Sequence, residues 1–226
     1  MNNRLSTLLF PLMLLSALVH AGGVTVGGTR LIYDGAKKEA IINVTSTDAS
    51  PYLIQSWVDS VEGDHQKVPF IITPPLFRIE GNEQNMLRVV RTGGNLPKDR
   101  ESLYWLNIKA IPSGNKNEES NALQIAVKTR IKLIYRPEGL KGVPEDVAGK
   151  LTWSQAGSRL TVTNPTPFIM NFWSVSVGSR DIKVKTYVMP FSQTTFSVPE
   201  GASGIISWKL ISDYGGAGSA HTSEYK

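Results

Sequence analysis

Three cations interrupt sequence that otherwise reads as apolar strand: Arg30 in GGTRLIYDG, and Lys132 and Arg136 in RIKLIYRP. Each either lies on the solvent face of its strand or is held in place for an anion. The second reading needs Arg30 and Lys132 to converge, which the first and last strands of a β-sandwich can do. Two cations about 4 Å apart at a protein surface repel by roughly 4 kcal/mol at an effective dielectric of 20. Such a pair wants an anion between its members, and a carboxylate would bind both through charge-assisted hydrogen bonds.

Other chemistry is poorly supplied. Beyond residue 21 the histidines are His65 and His221, both in polar, loop-like settings, and Asp64 beside His65 reads as an exposed turn. The stretch GASG at 201–204 is not a nucleophile elbow, which needs G-x-S-x-G between a strand and a helix. There is no P-loop, dinucleotide fingerprint or EF-hand loop. Glu118-Glu119 and Glu138 fall in loops, so a glycosidase-type carboxylate pair lacks a scaffold. Asn43-Val44-Thr45 matches a glycosylation sequon, a three-letter pattern common by chance. The chain has no cysteine, which excludes zinc ribbons, thiol redox motifs and cysteine nucleophiles. An enzyme is not indicated, and the expectation is no cofactor and no metal.

The element that must carry Lys132 and Arg136 is residues 121–137, NALQIAVKTRIKLIYRP. With a period of two, Leu123, Ile125, Val127, Thr129, Ile131, Leu133 and Tyr135 share one face. A helical period would scatter Leu123, Ile125 and Val127 around the axis, so the stretch reads as a strand closed by a proline. At about 3.3 Å per residue, a strand of roughly 14 residues spans ~45 Å, against an ordinary length of about 5–6 residues. Either it is a long core strand bent by a bulge, or part of its apolar row serves something other than this chain's own core.

Residues 1–21 read as an export signal: Arg4, then an apolar run over 8–19, then a cleavage site at Ala21. The run is shorter than the roughly 20 apolar residues of a membrane anchor and contains Pro11. The remaining chain, about 205 residues, suits one large β domain or two of about 100. The formal net charge is +5, but the basic residues form no long run, so a nucleic-acid patch is weakly supported and steering toward acidic partners is an equal reading.

In chain order, strand candidates fall at 24–33, 39–45, 52–58, 70–72, 76–80, 86–91 and 103–110. Thr73-Pro74-Pro75 must sit at an edge, bend or break, because proline cannot donate to a ladder. About seven strands with turns every 8–12 residues indicate an antiparallel sandwich of the immunoglobulin class. Pro137-Glu138-Gly139 reads as a hinge, after which a second β series covers 150–154, 160–163, 168–177, 182–185, 195–198 and 205–211. The expected fold is all-β, two tandem immunoglobulin-like sandwiches, with domains at 22–138 and 139–226.

Residues 96–113, LPKDRESLYWLNIKAIPS, resemble the signature of the PapD-like periplasmic pilus chaperones. Arg30 in GGTRLIYDG, Thr73-Pro74-Pro75-Leu76-Phe77-Arg78, IKLIYRP, NPTPF, PFS and SDYGG extend the resemblance over nearly the whole chain. It implies an L or boomerang arrangement of the two domains. It also implies a periplasmic chaperone of pilus or fimbrial subunits that works by donor-strand complementation. Each subunit is an incomplete sandwich, and the chaperone lays its long strand into the open groove, presenting Leu123, Ile125 and Val127. Arg30 and Lys132 match the pair that binds the subunit's C-terminal carboxylate. Glu101, Arg136 and Asp213 match an interdomain salt-bridge set with an orienting role. The short loop between Pro112 and Asn121 matches the short-loop subclass, associated with rod-like pili or fimbriae. Partners implied are the subunits, an outer-membrane usher and, when unloaded, a self-capping homodimer. The chain departs from some relatives in lacking a cysteine pair in the second domain, and its short tail leaves that domain's final strand open.

Two other classes deserve comparison. Tyr225, the penultimate residue, resembles the C-terminal motif of pilins, so an exported fimbrial structural subunit or adhesin is an alternative. A single incomplete domain with a cysteine pair would favour it, and neither is read here. A carbohydrate-binding or hydrolytic protein would want clustered exposed aromatics or paired acids, and neither is clear.

Overall fold

The computed structural model describes residues 22–63, 67–113, 124–183 and 187–223. The first half contains β1 (Val24–Val26), β2 (Arg30–Asp34), β3 (Glu39–Ser46), β4 (Tyr52–Ser60), β5 (Phe70–Thr73), β6 (Leu76–Ile79), β7 (Gln84–Arg91), β8 (Ser102–Pro112) and β9 (Val127–Arg136). They form two sheets, ordered β1-β3-β7-β5 and β2-β9-β8-β4-β6. Alternation decides what each contributes: β3 buries Ile42 and Val44 while Ile41 and Asn43 face out. Ile42, Val44, Phe70, Ile72, Leu87 and Val89 from one sheet meet Tyr33, Ile54, Leu106, Ile108, Ile131 and Leu133 from the other.

The second half opens with the short helix α1 (Pro144–Val147). It continues through β10 (Thr152–Ala156), β11 (Arg159–Asn164), β12 (Met170–Val177), β13 (Arg180–Ile182), β14 (Tyr187–Val188), β15 (Ser192–Ser197), β16 (Ile206–Ile211) and β17 (Ala217–Ser223). The sheets are β10-β11-β15 and β13-β12-β16-β17, with β14 also pairing β12. Their core centres on Trp153, with Phe172, Phe196 and Trp208 around it at ring-centroid separations of 5.3–6.4 Å. The fold is therefore all-β, two immunoglobulin-like sandwiches in tandem. A third, smaller cluster joins them: Leu103 and Ile134 from the first half pack with Ile169 from the second.

Four sequence expectations need correction. The strand expected over 24–33 is two strands in different sheets, β1 on β3 and β2 on β9. Gly27 and Gly28 sit at the crossing, where the Gly27 N–H donates to Asn43 O and a side chain would crowd Asn43. The sandwich is not wholly antiparallel, because β2 and β9 run parallel. The long strand is ten residues, Val127–Arg136; residues 124–126 are not in strand, and the expected start at 121–123 lies outside the described residues. The final strand of the second sandwich, left open from sequence, is formed by β17 on β16. His221 lies in it, stacked on Trp208 at 5.7 Å, rather than in a loop. AGSAHTS carries no β-branched apolar run to announce a strand, because an edge strand can draw its stability from the ladder alone. The proline pair marks a break, as expected: β5 ends in one sheet and β6 begins in the other.

Candidate functional site: a two-cation cleft beside an open strand edge

The parallel register of β2 on β9 sets Arg30 directly opposite Lys132. Beyond that pair β2 stops. On its other side β9 is matched by β8 from Val127 to Tyr135, all but its last residue. Val127 to Ile131 therefore have one backbone edge that no described strand pairs. The apolar row changes character along the same line. Ile131, Leu133 and Tyr135 are buried in the first core, while Val127 is 58% and Ile125 65% exposed. Leu123 lies outside the described residues.

Lys132 is buried more deeply than the solvent face of a strand would place it. Its Nζ donates to Asn171 Oδ1 and lies 4.7 Å from the centre of the Tyr187 ring. Asn171 and Tyr187 are register partners of β12 and β14, so both come from the second sandwich. Burial, then the nearby Arg30 charge, brings the Lys132 ammonium down to about 8. Arg30 is lowered too, chiefly by burial. Its Nη1 donates to Ile211 O over a long 3.4 Å. Its Nε is buried and finds no hydrogen-bond partner among the described residues. Asp213 and Glu145 act on Arg30, but among the described residues neither of these two desolvated cations has a carboxylate hydrogen-bond partner, and one keeps an orphaned donor.

The third cation is already neutralised. Arg136 donates from Nη1 and Nη2 to the two Asp213 oxygens at 2.7 and 3.0 Å, and from Nε to Glu101 Oε1 at 2.8 Å. The other Glu101 oxygen accepts the Ile169 N–H at 2.7 Å. Burial raises the Glu101 carboxyl, with Arg136 pulling the other way. Burial likewise pulls on Arg136, but its two carboxylates outweigh that and raise it. This triad joins β8 and β9 to the start of β12 and the turn after β16.

On the same face of β9, Arg130 is also satisfied. Its guanidinium donates to Asn107 Oδ1 at 2.8 Å and Asp59 Oδ2 at 3.1 Å, and lies over Trp105. Asn107 donates to Asp59 Oδ2 at 2.9 Å. Sequence reading passed over Asn171, Tyr187, Asp59, Asn107 and Arg130. A signal was present for two of them: Asn107 in LYWLNIKA and Asn171 in FIMNFW are amides set inside apolar strands. A buried amide needs partners, and both find charged ones.

Comparison with known proteins follows the same division. Residues 23–141 match the family model of the pili and flagellar-assembly chaperone PapD N-terminal domain, and residues 146–222 match that of the pili assembly chaperone PapD C-terminal domain. The chaperone protein LpfB of Salmonella typhimurium is 42% identical over 212 residues, covering 92% of this chain and 91% of that protein. The chaperone protein FimC of Escherichia coli is 40% identical over 211 residues, covering 92% and 86%. A chain in the structure of the Salmonella enterica SafA pilin in complex with the SafB chaperone superposes with a TM-score of 0.84 at 42% identity, over 89% of this chain and 96% of that one. The E. coli chaperone DraB gives 0.82 at 40%, over 91% and 97%. Matches of this extent over both sandwiches set aside the structural-subunit alternative: the chain belongs to the PapD-like family of pilus and fimbrial assembly chaperones.

Proposed function

We propose that the open edge of β9 is lent to fimbrial subunits as their missing strand, and that Arg30 and Lys132 hold the subunit's chain end. One observation carries the reading. The face of β9 that supplies Ile131 and Leu133 to this chain's own core continues as exposed Ile125 and Val127 beside an unpaired edge. An added strand occupies the line of β2 upstream of Arg30 and, like β2, runs parallel to β9. Its C-terminus then arrives at Arg30 and Lys132, where an anionic acceptor is lacking. Backbone hydrogen bonds supply affinity, and alternate side chains supply fit. Burying Ile125 and Val127 gives about 3–6 kcal/mol at roughly 1.5–3 each, before ordering costs.

In this reading residues 1–21 direct export to the periplasm and are cleaved near Ala21. Residues 22–138 carry the client, residues 139–226 complete the cleft, and Glu101, Arg136 and Asp213 fix the two domains' relative orientation. The loaded chaperone delivers its client to an outer-membrane usher. Its action is non-enzymatic and needs no cofactor.

The test is periplasmic co-expression with candidate subunits and identification of what co-purifies. Arg30→Ala and Lys132→Ala are expected to lose capture with the fold intact. Ile125→Asp loses it by placing a charge in an apolar groove. Wild-type recovery of subunits by Ile125→Asp would show that the donor edge lies elsewhere.

A further inference from the structure

Lys132 already holds an acceptor, and its kind is informative. Asn171 is 3% exposed, and its Oδ1 takes the Lys132 ammonium while its Nδ2 turns back to Ile169 O at 3.4 Å. An amide oxygen offers the lone pair a carboxylate would offer, without the charge. It holds the ammonium in position and leaves its charge uncompensated. We propose that Asn171 is a placeholder, occupying on Lys132 the acceptor position that an incoming carboxylate takes, so that loading exchanges amide for carboxylate. The second sandwich thereby sets how tightly, and over what pH range, the cleft of the first accepts a chain end. This rests on the reading of Arg30 and Lys132 as a carboxylate anchor.

The surroundings fit an exchange rather than a settled structural bond. From β2, Arg30 faces Lys132 as a second cation. From β14, the Tyr187 ring lies 4.7 Å from the ammonium. The acids Asp213 and Glu145 act on Arg30. Asp59 is committed to Arg130, and Glu101 to Arg136. Among the described residues no carboxylate lies at ion-pairing distance from Lys132. A resident acid would satisfy both cations permanently and leave nothing for a client, which is the physical reason for an amide here.

The test compares the full unloaded protein with its Asn171→Asp and Asn171→Ala variants. The probes are an alternating valine-threonine decapeptide with a free carboxylate and its C-terminally amidated twin. Calorimetry from pH 6 to 9.5 reads binding, and NMR of the labelled lysine side chain reads the Lys132 titration. The parent is expected to prefer the free acid. Asn171→Asp weakens free-acid binding by about tenfold or more, leaves the amidated peptide unchanged and moves the Lys132 titration up by about a unit or more. Asn171→Ala keeps the free-acid preference and moves the titration down, because the charged form has lost an acceptor. Equal binding of both peptides by the parent sinks the anchor reading, and the placeholder with it. A parental preference that survives Asn171→Asp sinks the placeholder alone, as does an Asn171→Ala variant that loses the preference as fully as Lys132→Ala.

Discussion

At the scale of single residues, the proposed anchor role of Lys132 would tie capture to pH. Its ammonium titrates near 8 in the unloaded protein because burial and Arg30 disfavour the charged form. A carboxylate favours that form, so binding raises the pKa. On the proposed anchor role, affinity for a free chain end should therefore be flat from about pH 6 to about 8 and fall by up to tenfold per pH unit above that. Lys132→Arg should flatten the profile, since a guanidinium keeps its proton; a drop above pH 8 that persists in this variant would assign the effect to another group. Stability follows a separate sign. The folded pKa lies below the unfolded value, so the folded state binds fewer protons between about 8 and about 10.4, and stability rises with pH across that window. Below it the charge costs stability, and Lys132→Met should stabilise the unloaded protein at pH 7 by ~1 kcal/mol while abolishing capture. Chemical denaturation beside a capture assay separates the two effects. The cations of the cleft were legible in sequence as breaks in apolar strands. Their acceptors were not, because Asn171 and Tyr187 reach Lys132 through the packing of the second sandwich on the first.

At the scale of elements, the register of β2 on β9 is what brings Arg30 and Lys132 together. That register is pinned at its far end by Gly35, whose N–H donates to Arg136 O at 2.7 Å. A Cβ there would lie 2.9 Å from both Arg136 O and the Glu138 nitrogen. Gly35→Ala should cost about 1–3 kcal/mol by forcing the two strands apart. It should also weaken capture, although every charged group remains, and unfolding curves with a co-purification assay would read both. If capture is untouched by a destabilising Gly35→Ala, the register matters less than the charges do. Most strands were legible from alternation and turn residues. Sheet membership was not: the switch at Gly27-Gly28 sends β1 to β3, about 20 residues on, and β2 to β9, 102 residues on at Arg30 and Lys132, a choice to which a local pattern is blind. β17 escaped because it is short in apolar residues.

At the scale of the whole molecule, the triad of Glu101, Arg136 and Asp213 is the polar joint between the sandwiches. The Glu101 side chain is 1% exposed and that of Arg136 14%, so removing Arg136 strands a buried carboxylate. Arg136→Ala should cost about 3–5 kcal/mol and split a single calorimetric unfolding transition into two, one for each sandwich. A single transition at an unchanged temperature would show the joint to be dispensable. The open β9 edge makes a second prediction at this scale, since unpaired apolar edges recruit copies of themselves. The unloaded protein should show concentration-dependent dimers in sedimentation, and Ile125→Asp should be monomeric. Dimers that survive that change would lie on another surface.

The stop of β2 at Arg30 has one more consequence. Lys132 and Val127 are five positions apart, so on the proposed anchor role the edge is a ruler of ~17 Å whose zero mark is the pair of cations. A passenger would then be measured backward from its last atom, and one surplus residue at that end would turn every one of its side chains to the opposite face. What is gauged is the length of an ending as much as its composition.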